Sequence, residues 1–374
     1  MRPRQLDVWH VALPLHTPWR TAYGSDAAIH SILVRVQTDS GAGWGEATPF
    51  AAPTYSPESA HGAFRVIQDY FVPVIVRSAP DRPSELLACL QCFKGNPFAK
   101  AALETAWWSL WSAAQSRPLA QLLGGTRDRV SVGADFQIYD DTKRLIEDIG
   151  IAIEHGYPRV KLKVAPGKDI DVVRQVRERY PDLVFHIDCN SGYTLAQHAS
   201  LFQEIDNYGL AMIEQPLAHD DLLDHARLQA LLDTPICLDE SITSTRKFRQ
   251  ALDIEACRAV NIKPGRVGGL GPAKEIHDLA MNANVISWVG GMLESGVGVR
   301  IALALSTLGG FNYPADIFPS DRIHVRDIAS PRIEIPLPAD VDVNAILSCP
   351  MEIDLDALRA MTVESYRWGD GTHA

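Results

Sequence analysis

Five charged residues recur along this chain at the interval of one strand-plus-helix unit. Lys163, Asp188, Glu214, Asp239 and Lys263 are separated by 25, 26, 25 and 24 residues, by subtraction of their numbers. Each ends an apolar run: RVKLKV (159–164), LVFHID (183–188), LAMIEQ (210–215), PICLDE (235–240) and AVNIKP (259–264). Amphipathic stretches such as DIDVVRQVRERY and DLLDHARLQALL lie between the runs. SVGADF (131–136), VISWVG (285–290) and a last segment near Tyr313 extend the alternation to eight strands. Repeated strand–helix units build right-handed βαβ connections and a parallel sheet. Eight strands predict a closed barrel rather than an open sheet, and in a parallel barrel the strand C-termini converge on one mouth.

Residues 1–126 read differently, as an α+β module. SILVRVQTDSGAGWGEA gives two strands around an Asp39-Ser40-Gly41 turn, with Ile32, Val34 and Val36 on one face. Helical segments follow near 58–70, 83–92 and 97–114, the last opening on Asn96-Pro97, a cap and then a proline at the first helical position. The stretch after Ser320, with Ile333–Ile335 and a helix near 354–361, is too short to stand alone and is expected to pack back on this module. The predicted class is α/β: a capping domain (1–126), a (β/α) barrel carrying the active site (127–321), and a C-terminal segment (322–374) that completes the cap.

A single acid at a strand end is usually a helix cap or an ion-pair partner. Three successive acids in register, flanked by lysines in register, are poorly explained that way. Crowded carboxylates repel unless a cation neutralises them. All-oxygen ligation suits Mg²⁺ or Mn²⁺ rather than zinc, and no HExxH motif is present. His186 shares a strand face with Asp188 and reads either as a fourth polar group or as a barrel-interior histidine with a hydrogen-bond partner. Lys161 and Lys163 alternate along one strand and project to the same side. A second ammonium nearby and partial burial are expected to lower the pKa of a lysine base. Lys263 should face Lys163 across the mouth, with Arg266 acting on it in the same way. Two lysines either side of a metal suit proton transfer at a carbon next to a carboxylate, the cation stabilising an enediolate dianion.

The formal net charge of -11 argues against a nucleic-acid partner. No segment reaches the roughly 18 apolar residues of a membrane span, and MRPRQLDVWHVALPLHTPW lacks a signal-peptide pattern. Cys89, Cys92, Cys189, Cys237, Cys257 and Cys349 form no paired CxxC repeat and are expected as reduced thiols in a cytoplasmic protein. The expected partner is a small-molecule carboxylate. Oligomeric state is not readable, although barrels of this kind often form homo-oligomers.

KLKV, DCNSGYT, IEQP, CLDES and NIKPGRVGG, with GWGEATP and PTYSPE in the cap, resemble the enolase superfamily and its muconate-lactonizing-enzyme subgroup over essentially the whole chain. The resemblance implies a modified (β/α)₇β barrel with an α+β N-terminal cap. It implies Asp188, Glu214 and Asp239 as Mg²⁺ ligands (Mn²⁺ as a substitute), Lys163 and Lys263 as the acid/base pair, and Asn190 and Glu240 behind the ligands. GGMLESGVG (290–298), which carries Met292 and Glu294, and KPGRVGG look like o-succinylbenzoate synthases and N-succinylamino acid racemases. PWRTAYG (18–24) falls where the family has a mobile specificity loop, so Trp19 and Tyr23 would wall the pocket with Tyr55; Arg20 is either a substrate contact or an ion-pair partner. Val299 stands where relatives carry arginine, and PADIF (314–318) departs from a PGDTS-like form. Dipeptide epimerases carry an Asp-x-Asp pair on the eighth strand, whereas this chain has Asp316 alone, which favours a succinyl-bearing substrate.

The implied reaction is dehydration of 2-succinyl-6-hydroxy-2,4-cyclohexadiene-1-carboxylate in menaquinone synthesis, with Lys163 as base and Lys263 cationic against the ring. N-succinylamino acid racemization needs the same residues, and the sequence does not separate the two. More distant readings are a dipeptide epimerase, a muconate cycloisomerase, a metal-free Schiff-base aldolase and a non-catalytic barrel. The aldolase leaves three converging carboxylates unexplained, and a non-catalytic barrel should have lost one of the five residues.

Overall fold

A computed structural model describes residues 2–39 and 41–369; Ser40, in the predicted turn, lies outside the described residues. Seven strands, Ala134–Phe136, Val160–Lys163, Phe185–Asp188, Ile213–Glu214, Ile236–Leu238, Ala259–Ile262 and Ile286–Val289, form one parallel sheet in chain order. The segment near Tyr313 closes it without a regular ladder. Ala315 N donates to Ser131 O and Gly133 N to Ala315 O, both at 3.0 Å, while Asp316 N donates to Val289 O at 2.9 Å. Pro314 has no N–H to extend these bonds into a longer strand. Residues Arg129–Ser131 leave the barrel and pair with Asp340–Asp342, so the first barrel strand starts at Ala134 rather than at 131. Helices Ile170–Arg179 and Leu222–Gln229 occupy the two amphipathic stretches, capped by the carboxylates of Asp169 and Asp221.

The cap is an antiparallel sheet of Gln5–Thr21, Gly24–Thr38 and Gly41–Ala47, with Thr362–Gly369 added along the outer edge of the first strand. Helix Pro97–Gln115 lies directly on the third strand. A Cβ added at Gly43 or Gly45 would come within 2.3 Å of the Ala106 backbone, so only glycine permits this approach. The helix starts at Pro97 as expected, but Asn96 does not cap it: Asn96 is left-handed (φ 54°) and its side chain makes no capping bond. Glu58 takes that place, accepting from Phe98 N at 2.9 Å and Ala99 N at 3.1 Å. A carboxyl group serving two amides supplants the local cap.

Two cap carboxylates join the cap to the barrel. Glu104 accepts from Leu270 N (2.8 Å) and Gly271 N (2.9 Å), and Glu46 from Ser295 N (3.1 Å) and Gly298 N (2.8 Å), each at the start of a barrel helix. Pairing of the first two strands breaks between Pro14 and Trp19 and resumes to Thr21. The tip beyond the break rests on the barrel mouth, where Arg20 N donates to Gln137 Oε1 at 2.9 Å and Ile138 N to Arg20 O at 3.2 Å. Among the described residues no helix is long and apolar enough to cross a membrane.

Candidate active site

Parallel register places Lys163 beside Asp188, and Asp188 beside Glu214. Asp239 and Lys263 immediately follow the fifth and sixth barrel strands. One oxygen from each of Asp188, Glu214 and Asp239 lies within 4.8 Å of the others, and all three residues are fully buried. Asp188 Oδ2 accepts from Lys163 Nζ at 2.6 Å and Oδ1 from Asn190 N at 3.0 Å. Asp239 Oδ2 accepts from Lys263 Nζ at 2.8 Å; its Oδ1 accepts from Tyr55 OH at 2.9 Å and from Arg266 Nη1. Glu214 Oε1 accepts from Asn261 Nδ2 at 2.7 Å. Its Oε2 has no hydrogen-bond partner and lies 3.2 Å from the Lys161 ammonium. Three clustered, buried carboxylates fit a hard divalent cation bound through oxygen.

A model of the mandelate racemase / muconate lactonizing enzyme N-terminal domain matches residues 4–124, and an enolase C-terminal domain-like model matches residues 144–336. The chain belongs to the enolase superfamily. It is 44% identical to an o-succinylbenzoate synthase of Geobacillus kaustophilus over 87% of each chain. It is 40% identical to an N-succinylamino acid racemase of Thermus thermophilus over 94% of this chain and 96% of that one. The crystal structure of an enolase-superfamily member from Listeria innocua superposes with a TM-score of 0.90 at 34% identity, covering 98% of this chain and 99% of that one. These matches place the chain in the muconate-lactonizing subgroup, whose members are enzymes acting on small molecules, and with the buried triad they support a divalent-metal site.

Electrostatics at this superfamily site correct one expectation. Burial opposes charge on Lys161, but Asp316, Glu214, Asp188 and Asp135 outweigh it and hold the ammonium well above the ordinary lysine range. For Lys263 burial and the Lys161 ammonium oppose charge, and Tyr55, Glu214 and Glu240 together overcome them. Acidic partners prevail at both lysines, so the expected lowering by a neighbouring cation, though present at Lys263, is outweighed. Arg266 is itself engaged by Asp239 and by Ile242 O at 2.8 Å. Glu214 is pushed up by burial but pulled well below the usual carboxylate range by Lys161 and His186. Burial and Asp188 push Glu240 up to about 7, and it accepts from Asn190 Nδ2 at 3.1 Å. His186 is the barrel-interior histidine with a partner: its Nδ1 is 2.9 Å from Tyr313 OH.

The remaining predicted residues form the walls or lie outside them. Tyr23 packs against Phe50 and Tyr55, and Trp19 meets Phe318 edge-on at 6.0 Å. Met292 is buried, and its N–H donates to Glu294 Oε2 at 2.8 Å; burial pushes Glu294 up to about 7. Arg20 stands at the exposed rim, paired with Asp140 at 2.6 Å, while Lys168 holds the same carboxylate at 2.6 Å. Asn190 (φ 42°), Gln215 (φ 38°) and Leu293 (φ 59°) are left-handed non-glycines, each within two residues of a predicted site residue. Such strain persists where the surroundings over-determine it, and it clusters at functional sites.

Four residues escaped the sequence reading. Gln215 Oε1 accepts from Asp239 N (2.9 Å) and Ser241 N (3.1 Å), tying the Glu214 loop to the Asp239 loop. Asn261 holds Glu214; its place two residues before Lys263, on the same strand face, was a usable signal. Arg159, two residues before Lys161, carried the same signal. Asp135 had none beyond an acid in an apolar run.

Proposed function

We propose that this protein is a Mg²⁺-dependent o-succinylbenzoate synthase that removes the proton from the carbon next to its substrate's carboxylate. The observation that carries the reading is the pairing of two lysines with two members of the buried triad, Lys163 with Asp188 at 2.6 Å and Lys263 with Asp239 at 2.8 Å. A lysine on each flank suits proton transfer at a carbon held between them. A divalent cation held by Asp188, Glu214 and Asp239 would stabilise the negative charge that develops on the substrate carboxylate.

Lys163 would take the α-proton, and loss of hydroxide from the neighbouring ring carbon, with a proton, would release water and leave an aromatic ring. Lys263, held cationic, would face that ring. Lys161 would meet the carboxylate end, and Asn190, Glu240 and Arg266 would hold the ligands in place. Tyr23, Tyr55 and Trp19 would keep water from the mouth. We treat residues 1–126 with 322–374 as the cap and 127–321 as the catalytic barrel, working in the cytoplasm; all six cysteines are free.

Asp316 supports a substrate without an ammonium group. Its Oδ1 is held by Arg159 and its Oδ2 by Lys161 at 3.1 Å, so it is not free to receive one. N-succinylamino acid racemization is the second reading, supported by the two-sided lysines and the Thermus relative. The test is turnover of the cyclohexadiene substrate, followed by its absorbance, with Mg²⁺ and then with EDTA. Turnover that EDTA abolishes and Mg²⁺ restores is expected. No turnover with Mg²⁺ would overturn the synthase reading, and full turnover in EDTA would overturn the metal.

A further inference from the structure

Arg159, immediately before the strand Val160–Lys163, and Lys161 and Lys163 on it follow one another at every second residue and share one side. Successive members are about 6.6 Å apart along a strand. Their side chains are only 0%, 3% and 9% exposed. Three like charges stacked in a barrel interior require carboxylates between them. Asp188 stands between Lys161 and Lys163, and Glu214 stands beside Lys161: Lys161 Nζ is 3.2 Å from Asp188 Oδ2 and 3.2 Å from Glu214 Oε2, and Lys163 Nζ is 2.6 Å from Asp188 Oδ2. Asp135, on the first strand, and Asp316, on the closing segment, stand between Arg159 and Lys161. Asp135 Oδ1 accepts from Arg159 at 2.5 Å and its Oδ2 lies 3.8 Å from Lys161 Nζ, while Asp316 bridges Arg159 and Lys161. The Lys161 ammonium is thus shared between two carboxylates of the triad and two carboxylates beneath it.

We propose that Asp135 and Asp316 are positioning residues of the metal site. They hold the Lys161 ammonium from the lower side, so that Asp188 and Glu214 can give their oxygens to a divalent cation instead of to Lys161. The inference rests on the divalent-cation reading of the triad, and on neither choice of substrate. Asp135 Oδ2 is buried, makes no hydrogen bond and lies 3.8 Å from the ammonium, while burial and the adjoining Asp316 push the Asp135 carboxyl up to about 7. Without the lower pair, Lys161 would settle on Asp188 and Glu214 and compete with the cation for them.

The experiment is Mn²⁺ binding by the intact protein without substrate, read from the loss of the free-ion EPR signal. Asp135→Asn keeps the shape and removes the charge. Its Mn²⁺ Kd should rise about tenfold, as for other residues that orient a ligand shell. In a Lys161→Met background the same substitution should change Kd by less than about twofold, because there is no ammonium to hold. An unchanged Kd in folded Asp135→Asn protein overturns the proposal. So does an equal rise in the Lys161→Met background, which would make Asp135 a distant charge acting directly on the cation. Asp316→Asn, read in the same pair of backgrounds, decides the question if Asp135→Asn does not fold. Because no substrate is present, failure here and failure of the dehydration assay are separate results.

Discussion

Replacing Tyr55 with phenylalanine removes one oxygen from the junction of cap and barrel and almost nothing else. That oxygen donates to Asp239 Oδ1 at 2.9 Å and accepts from Lys263 at 3.1 Å and Arg266 at 3.3 Å, in a residue only 5% exposed. Both cations keep Asp239 as a partner in the variant, so the two accepted bonds are largely replaced. The donated bond is not: Asp239 Oδ1 loses a neutral donor at a buried, charged acceptor. A hydrogen bond to a charged group contributes about 1.5–3 kcal/mol, and at about 1.4 kcal/mol per factor of ten this is a roughly 10- to 100-fold effect. Urea unfolding of Tyr55→Phe in EDTA should show a loss of that size. Mn²⁺ affinity should fall as well, since Asp239 is oriented by the lost bond. A variant with stability within about 0.5 kcal/mol of the parent and unchanged Mn²⁺ binding would refute the idea that the cap orients this ligand.

Lys163→Ala should abolish dehydration, losing at least about a hundredfold in kcat as expected for a general base; retained turnover sinks that assignment. Lys263→Ala should leave α-deuterium exchange for one enantiomer of an N-succinylamino acid, read by NMR in D₂O, and loss for both would contradict a two-sided site. Arg20→Ala should leave the urea midpoint essentially unchanged, because its pair with Asp140 is solvent-exposed; a raised KM would then mark Arg20 as a substrate contact. His30, His186, His225, His277 and His324 are each held below the ordinary imidazole range of about 6.5, chiefly by burial. These imidazoles therefore contribute stability that is full above about 6.5 and lost as pH falls, while the carboxyls of Glu58, Glu104, Asp135, Glu240 and Glu294, pushed up to about 7 chiefly by burial, contribute with the opposite sign over the same window. The two sets offset each other, so the urea midpoint should change little between pH 7.5 and pH 5.5, and a steep fall over that range would contradict the balance.

The site was legible because its residues are spaced by the fold's own repeat: a βα unit carries one charge to the mouth each time, and Lys163, Asp188, Glu214, Asp239 and Lys263 met as expected. What stayed hidden depends on contacts distant in the chain. Gln5–Thr21 reads poorly as a strand because Pro14 and Pro18 interrupt it, yet its pairing with Thr362–Gly369 builds the cap edge. Asn96 looked like a cap because Glu58, which caps instead, lies on another element. The lysine environment was inverted by Asp135 and Asp316, one in a short apolar run and the other 181 residues later by subtraction. Only closure of the barrel brings them to Lys161.

The most direct test of α-proton abstraction is incubation with Mg²⁺ in D₂O alongside a panel of N-succinyl-L-amino acids and the cyclohexadiene substrate, with the α-proton followed by NMR. Proton loss or dehydration is predicted in at least one case, and neither should occur in Lys163→Ala. Exchange that persists in the Lys163→Ala/Lys263→Ala double variant would contradict the central claim.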